Sequence, residues 1–384
     1  MLHRAYFAPG MFGFGRLASY DYFAHLEAAL ATRFRDAGHR LETFVVDVPP
    51  TASLRRRAAK LYDLVARSCE NDVDAGGPIH LVGHSTGGLD ARLVASPGAH
   101  LPTKESRVWI PRLRSVTTLN APHFGTPLAT FFATVNGQRL LYAVSALTII
   151  GLTLGAPPLA AASALAVAAG RLDRMMGTEL LNRTTESLLG VLDDARSREV
   201  REFLHAIEQD QGAVLQLTPE AMDLFQAGVE DRHGVRYQCV ATTAPPPTPI
   251  RWARSLGHPW SAISASVFGT LYALTARSDA TYPCAAPSAD AATELALVGA
   301  FGRAPGVRAN DGVVPLRSQL WGELVWTGHA DHLDVLGHFD APKAGHVDWL
   351  TSGSGFDQRR FDAMVDAIAK GMLHRGDPSK PTPR

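Results

Sequence analysis

The chain has 384 residues, with 37 basic and 37 acidic side chains and no formal net charge at pH 7. That balance argues against a nucleic-acid partner, which calls for a basic surplus or stripe, and against long-range steering of a highly charged substrate. Charged residues make up 19% and hydrophobic ones 46%, which excludes general disorder and allows a large buried core.

In chain order, residues 4–8 read as a strand, 20–35 as a helix with apolar residues at helical spacing, and 41–48 as a strand. Residues 53–69 follow as a helix with a basic exposed face, 78–82 as a short strand, 87–95 as a helix and 115–119 as a strand. Strands alternating with helices predict an α/β protein with a mostly parallel sheet flanked by helices. The rhythm stops near Pro127 and returns near Val235. The chain between is helical in pattern, through an uncharged stretch, then 180–208, then a helix opened by Thr218 and Pro219. Threonine as N-cap with proline at the first helical position is a strong start signal. A strand at 237–243, a proline-rich turn at 245–249, a helical excursion, a strand at 324–327 and an amphipathic helix at 356–373 complete the chain. The expected organisation is a core from 1–126 and 235–373, a helical cap or lid inserted at 127–234, and a disordered tail at 374–384.

No residue from Leu140 to Gly170 carries a charge. A membrane-spanning helix needs roughly 20 consecutive apolar residues, and Pro157-Pro158 divides this stretch, so two apolar helices packed within the cap fit better. They are either a buried hairpin or a lid that covers a site and meets a lipid surface transiently; their place in the chain favours the lid. Cys69, Cys239 and Cys284 lack the paired spacing of zinc or redox motifs and are expected as free, buried thiols. The N-terminus enters a strand directly, so a cytoplasmic location is expected unless a leader has been removed.

The chemistry lies in residues 78–92, PIHLVGHSTGGLDAR. An apolar strand runs into Gly83-His84-Ser85-Thr86-Gly87 and then a helix, which is the context a G-x-S-x-G nucleophile requires. The turn is sharp, so side chains two positions either side of the serine would collide. It lifts the Ser85 hydroxyl clear of the sheet and sets the helix N-terminus and the Thr86 N–H toward a developing oxyanion. A serine needs a base held by an acid, and on such a scaffold the acid follows the serine and the histidine comes last. Asp311, in Asn310-Asp311-Gly312-Val313-Val314-Pro315, and His332, in Asp331-His332-Leu333-Asp334, satisfy that order on loops. His346 is the rival base, and Asp331 and Asp340 are rival acids. His84 reads as a packing residue that helps set the turn, His123 as hydrogen-bonded to backbone near the site, and Asp90 with Arg92 as a buried structural pair.

GHSTGGLDAR, NDGVVP and DHLD together resemble the bacterial true lipases, triacylglycerol lipases of the α/β-hydrolase superfamily. FAPGMFGF, TTLNAPHFGTPLA and QLTPEAM extend the resemblance across the sheet-forming parts, and it fails across the cap. It implies Ser85 as nucleophile, Asp311 as acid, His332 as base, and the N–H groups of Met11 and Thr86 as the oxyanion hole. Pro9 departs from the pattern, standing where such lipases usually have histidine. The resemblance also implies a structural calcium ion near Asp334 and Asp290, with His338 where an oxygen ligand is expected and no cofactor needed for the chemistry. Carboxylate oxygens suit calcium. The expected function is a serine carboxylic-ester hydrolase, a lipase or esterase acting on a small-molecule or lipid ester with an apolar acyl group. The alternatives are a phospholipase or acyltransferase on the same triad and a non-catalytic binding protein on the same fold.

Overall fold

The computed structural model describes residues 1–11, 16–17, 20–70, 76–154, 194–248, 259–277, 279, 281–285, 289–341, 346 and 348–374. Six strands form one sheet: β1 (Leu2–Ala8), β2 (Arg40–Val45), β3 (Ile79–His84), β4 (Leu113–Leu119), β5 (Arg236–Thr243) and β6 (Glu323–His329), in the order β2-β1-β3-β4-β5-β6. Every pairing is parallel. A parallel sheet is covered on both faces, so its strands read as continuous apolar runs. In β1, Ala5 and Phe7 join one core cluster, while Tyr6 and Ala8 join another. The first cluster takes in α1 (Ala24–Asp36) and α11 (Gln358–Leu373), which pack together. The second takes in α2 (Leu54–Glu70) and α3 (Thr86–Ala95).

The helix expected from residue 20 begins instead at Ala24. Ahead of it, Tyr20–Asp21 pairs antiparallel with Arg16–Leu17, and the Asp21 carboxylate accepts from Phe23 N–H, so the chain turns before the helix can start. β2 ends at Val45 rather than 48, because its partner β1 ends at Ala8 and the last ladder bond runs from Val46 N–H to the Phe7 carbonyl.

The chain between β4 and β5 is helical in its described parts: α4 (Pro127–Phe132), α5 (Val135–Leu154), α6 (Asp194–Gln209), α7 (Gly212–Gln216) and α8 (Pro219–Gly228). Thr218 caps α8 by accepting from Ala221 N–H, with Pro219 at the first helical position. In α5, Leu140, Leu141, Val144 and Leu147 are buried, and the helix packs on α4 and α6. Pro157-Pro158 and the second half of the uncharged stretch lie outside the described residues, as do 180–193 and the tail beyond 374. No helix among the described residues is long and apolar enough to cross a membrane. After β5 come α9 (Pro259–Thr275) and α10 (Ala291–Phe301). The three cysteines are free; Cys239 and Cys284 are buried and Cys69 partly so.

From β1 the chain adds β2 on one side and β3 on the other. Such a reversal leaves a crevice at the carboxyl ends of the strands, where open α/β sheets bind ligands. The segments after β1 and β3 meet there.

Candidate active site

Ser85 occupies the turn between β3 and α3 with φ 54° and ψ −127°, a conformation that costs a non-glycine residue about 1–3 kcal/mol. The neighbouring glycines explain how the turn closes. A Cβ on Gly83 would lie 2.2 Å from the Gly87 oxygen, and one on Gly87 would lie 2.0 Å from the Ala8 oxygen. The TTLN segment fastens the turn from β4, where the Leu119 carbonyl accepts from Ser85 N–H at 2.8 Å.

Gly10 lies so close that a Cβ there would be 2.8 Å from Ser85 Cβ, which brings the backbone of Gly10 against the serine. Thr86 begins α3, so its N–H is among those without an intrahelical acceptor. Of the two predicted oxyanion residues, Thr86 adjoins Ser85 in the chain and Met11 follows Gly10. The support that Pro9 does not give through its own side chain comes from Arg57, which was expected with Arg55 and Arg56 on the exposed basic face of its helix and is instead buried. Its guanidinium is buried and donates to the carbonyls of Pro9 (2.6 Å), Pro49 (3.1 Å) and Pro50 (2.8 Å). It also pairs with Asp90 at 2.8 Å; burial pushes the Asp90 carboxyl up to about 6 against the pull of Arg57. The expected pairing of Asp90 with Arg92 is thus corrected. Residues two apart on a helix do not face each other, and Arg92 instead lies over the Trp321 ring, 3.4 Å from its centroid, and donates to His123 Nδ1. His123 Nε2 meets Thr118 Oγ1, so its ring bonds to side chains, while its main-chain N–H donates to the Ser318 carbonyl.

Arg57→Lys keeps a charge beside Asp90 but cannot span three carbonyls. Because a displacement of about 1 Å can cost about 10²-fold in rate, the variant is expected to lose 10- to 100-fold in kcat on a p-nitrophenyl ester while staying folded by circular dichroism. Wild-type kcat in this variant would mean that the loop after β1 holds itself.

Asp311 and His332 meet at 2.7 Å, Oδ2 to Nδ1. The Asp311 Oδ1 accepts from the N–H groups of Val313 (2.8 Å) and Val314 (2.7 Å), and Oδ2 accepts also from Gln319 Nε2 at 3.3 Å. His332 N–H donates to the Asp311 carbonyl at 3.0 Å. With a carboxylate at Nδ1, that nitrogen carries the proton and Nε2 is a lone pair. Nε2 is buried and has no hydrogen-bond partner. Ser85, His332 and Asp311 are 5%, 2% and 0% exposed, so all three are buried.

The rivals are placed elsewhere. His346 is stacked between His25 and Phe339 and bonded to the Gly337 carbonyl. Asp340 is exposed. Asp331 accepts from Leu333 and Asp334 N–H and from Ser352 Oγ, which shapes the turn carrying His332.

Superposition on solved structures finds EstA from Clostridium botulinum, at 18% identity over 94% of this chain and 87% of that one, with a TM-score of 0.50. Staphylococcus hyicus lipase (16%, 96% and 95%, 0.48) and lipase 1 from Pelosinus fermentans (16%, 92% and 97%, 0.47) also align. The chain has the α/β-hydrolase fold. No protein-family model and no curated protein matches the sequence.

The two residues expected at a calcium ion each have hydrogen-bond partners of their own. Asp290 is exposed and caps α10, accepting from Thr293 N–H at 2.7 Å. Asp334 is buried and accepts from Asp331 N–H and Ser354 Oγ; burial, with Asp331 and Asp348 close by, pushes its carboxyl well above the usual range. His338 is buried beside Tyr22 and His25. No group of three or more His, Cys, Asp or Glu among the described residues is arranged to hold a metal.

Proposed function

We propose that the protein is a serine carboxylic-ester hydrolase, a lipase or esterase, acting through Ser85, His332 and Asp311. One observation carries this: a serine held in a strained strand-to-helix turn shares the carboxyl edge of the sheet with a buried histidine whose Nδ1 is tied to a carboxylate and whose Nε2 is unpaired. Ser85 Oγ attacks the acyl carbon as His332 Nε2 takes its proton. The oxyanion gathers bonds from the N–H groups of Met11 and Thr86. Collapse breaks the ester bond, and the departing alcohol takes the proton from His332. Water then attacks the acyl-enzyme, giving up a proton to His332, and the acid leaves as Ser85 is reprotonated. Asp311 steadies the imidazolium throughout.

The acyl group is apolar. The supporting features are the uncharged chain from Leu140 to Gly170 and the buried face of α5. The helices between β4 and β5 act as a cap that moves to admit substrate, and a lipid surface favours the opened state by covering apolar area at about 25 cal/mol per Å². A fluorophosphonate probe is expected to give one adduct, mapped by mass spectrometry to Ser85. Turnover of p-nitrophenyl esters is expected to rise from acetyl to medium acyl chains. Absence of the adduct would sink the reading, and a preference for acetyl would sink the apolar pocket.

A further inference from the structure

A polar chain beside the base has no part in the steps above. The Tyr22 hydroxyl lies 2.9 Å from His84 Nδ1, and His84 Nε2 lies 2.8 Å from the main-chain oxygen of His332. A carbonyl oxygen can only accept, so Nε2 carries the ring proton; Nδ1 is then a lone pair, and the Tyr22 hydroxyl donates to it. The bonds run in one direction, from Tyr22 to His84 to the His332 carbonyl. All three residues are buried, and the rings of His84 and His332 lie 4.6 Å apart, tilted by 52°. Burial, with His332 and His338 nearby, holds His84 well below the usual imidazole range, so it stays neutral while His332 gains and loses a proton.

His332 is otherwise fixed from one side. Its N–H and its Nδ1–H both go to Asp311, so these two bonds hold it by one neighbour alone. The bond from His84 grips the opposite side of the same residue, and His84 is the chain neighbour of Ser85. One turn thus carries both the nucleophile and a clamp on its base.

We propose that His84, locked in its Nε2–H tautomer by the Tyr22 hydroxyl, is a positioning residue that sets the backbone of His332 for proton exchange with Ser85, a role that rests on the hydrolase reading above. Tyr22 is part of the same device, because without its proton His84 can adopt the other tautomer and turn a lone pair toward the carbonyl.

The test uses the full chain with His84→Leu, His84→Gln and Tyr22→Phe, steady-state hydrolysis of a p-nitrophenyl ester, and the rate of fluorophosphonate labelling at Ser85. His84→Leu is expected to lower kcat by about 10- to 100-fold, the size of effect that misplacement of a reacting group by up to 1 Å produces, with KM changed by less than about twofold. His84→Gln keeps a donor for the carbonyl and is expected to recover most of the loss. Tyr22→Phe, which removes one hydroxyl, is expected to lose about tenfold in kcat and in labelling rate alike. A folded His84→Leu with wild-type kcat, a loss confined to KM, or a glutamine variant no better than leucine would each overturn the proposal. If His84→Leu does not fold, Tyr22→Phe decides, and wild-type kcat there overturns it. A wild-type protein that takes no label at Ser85 would instead bring down the hydrolase reading, a result distinct from labelled wild type with unaffected variants.

Discussion

Ser85→Ala is expected to lower kcat for ester hydrolysis by about 10⁶-fold, the scale seen when a triad nucleophile is removed from a serine hydrolase, and to abolish the fluorophosphonate adduct. No other described side chain can replace it, because the turn that presents Oγ is built around this position. Gly83 and Gly87 exclude any side chain on either side, and Gly10 lies against the serine itself. Ser85→Gly sharpens the test. The serine backbone is at φ 54°, where strain costs about 1–3 kcal/mol; glycine removes it and gives back roughly 0.4–1 kcal/mol through its freer unfolded chain. The glycine variant should therefore be as inactive as the alanine one yet more stable, by about 1 kcal/mol, as read from the shift of a urea midpoint at unchanged slope. A glycine variant less stable than wild type would mean that the turn is not held under strain, and an alanine variant with a tenth of wild-type activity would place the nucleophile elsewhere.

The parts of this site that could be read from the sequence are those in which backbone geometry and residue type are bound together over a few positions. The turn at Ser85 needs glycines at fixed offsets, so it announces itself. The Asp311 and His332 loops were legible through short motifs and chain order, and Asp311 and His332 do meet. The supports are of another kind. Arg57 reaches Pro9 across 48 residues, Gln319 reaches Thr242 across 77, and Tyr22 reaches His84 across 62. Nothing local marks such contacts, because an arginine in a basic helix face or a tyrosine before a helix is compatible with many partners. Arg57 shows this well, since Arg55 and Arg56 beside it are exposed while Arg57 is wholly buried. Asp290 shows the opposite case, since its role as helix N-cap, accepting from Thr293 N–H, lies within four residues of chain.

Asp311→Asn is expected to lower kcat by about 10⁴-fold with the fold intact, as loss of the carboxylate does in other serine triads. The surroundings of Asp311 dictate why so small a change has so large an effect. Its Oδ1 faces two backbone donors, Val313 and Val314 N–H, and only an acceptor can occupy that place. The amide oxygen of asparagine must therefore take the Oδ1 position, which puts its NH₂ where Oδ2 now meets His332 Nδ1. An NH₂ group there demands a lone pair on Nδ1, so the ring proton moves to Nε2, and the base has no electron pair left to accept the proton of Ser85. The Gln319 amide, which now donates to Oδ2, would face a second donor and add its own repulsion. Two measurements check this chain of steps. The steady-state rate gives the loss, and the downfield proton resonance of a carboxylate-bound imidazole Nδ1–H, expected in wild type, should vanish from the variant. Retention of that resonance together with a tenth or more of the activity would mean that Asp311 is not the group that orients His332.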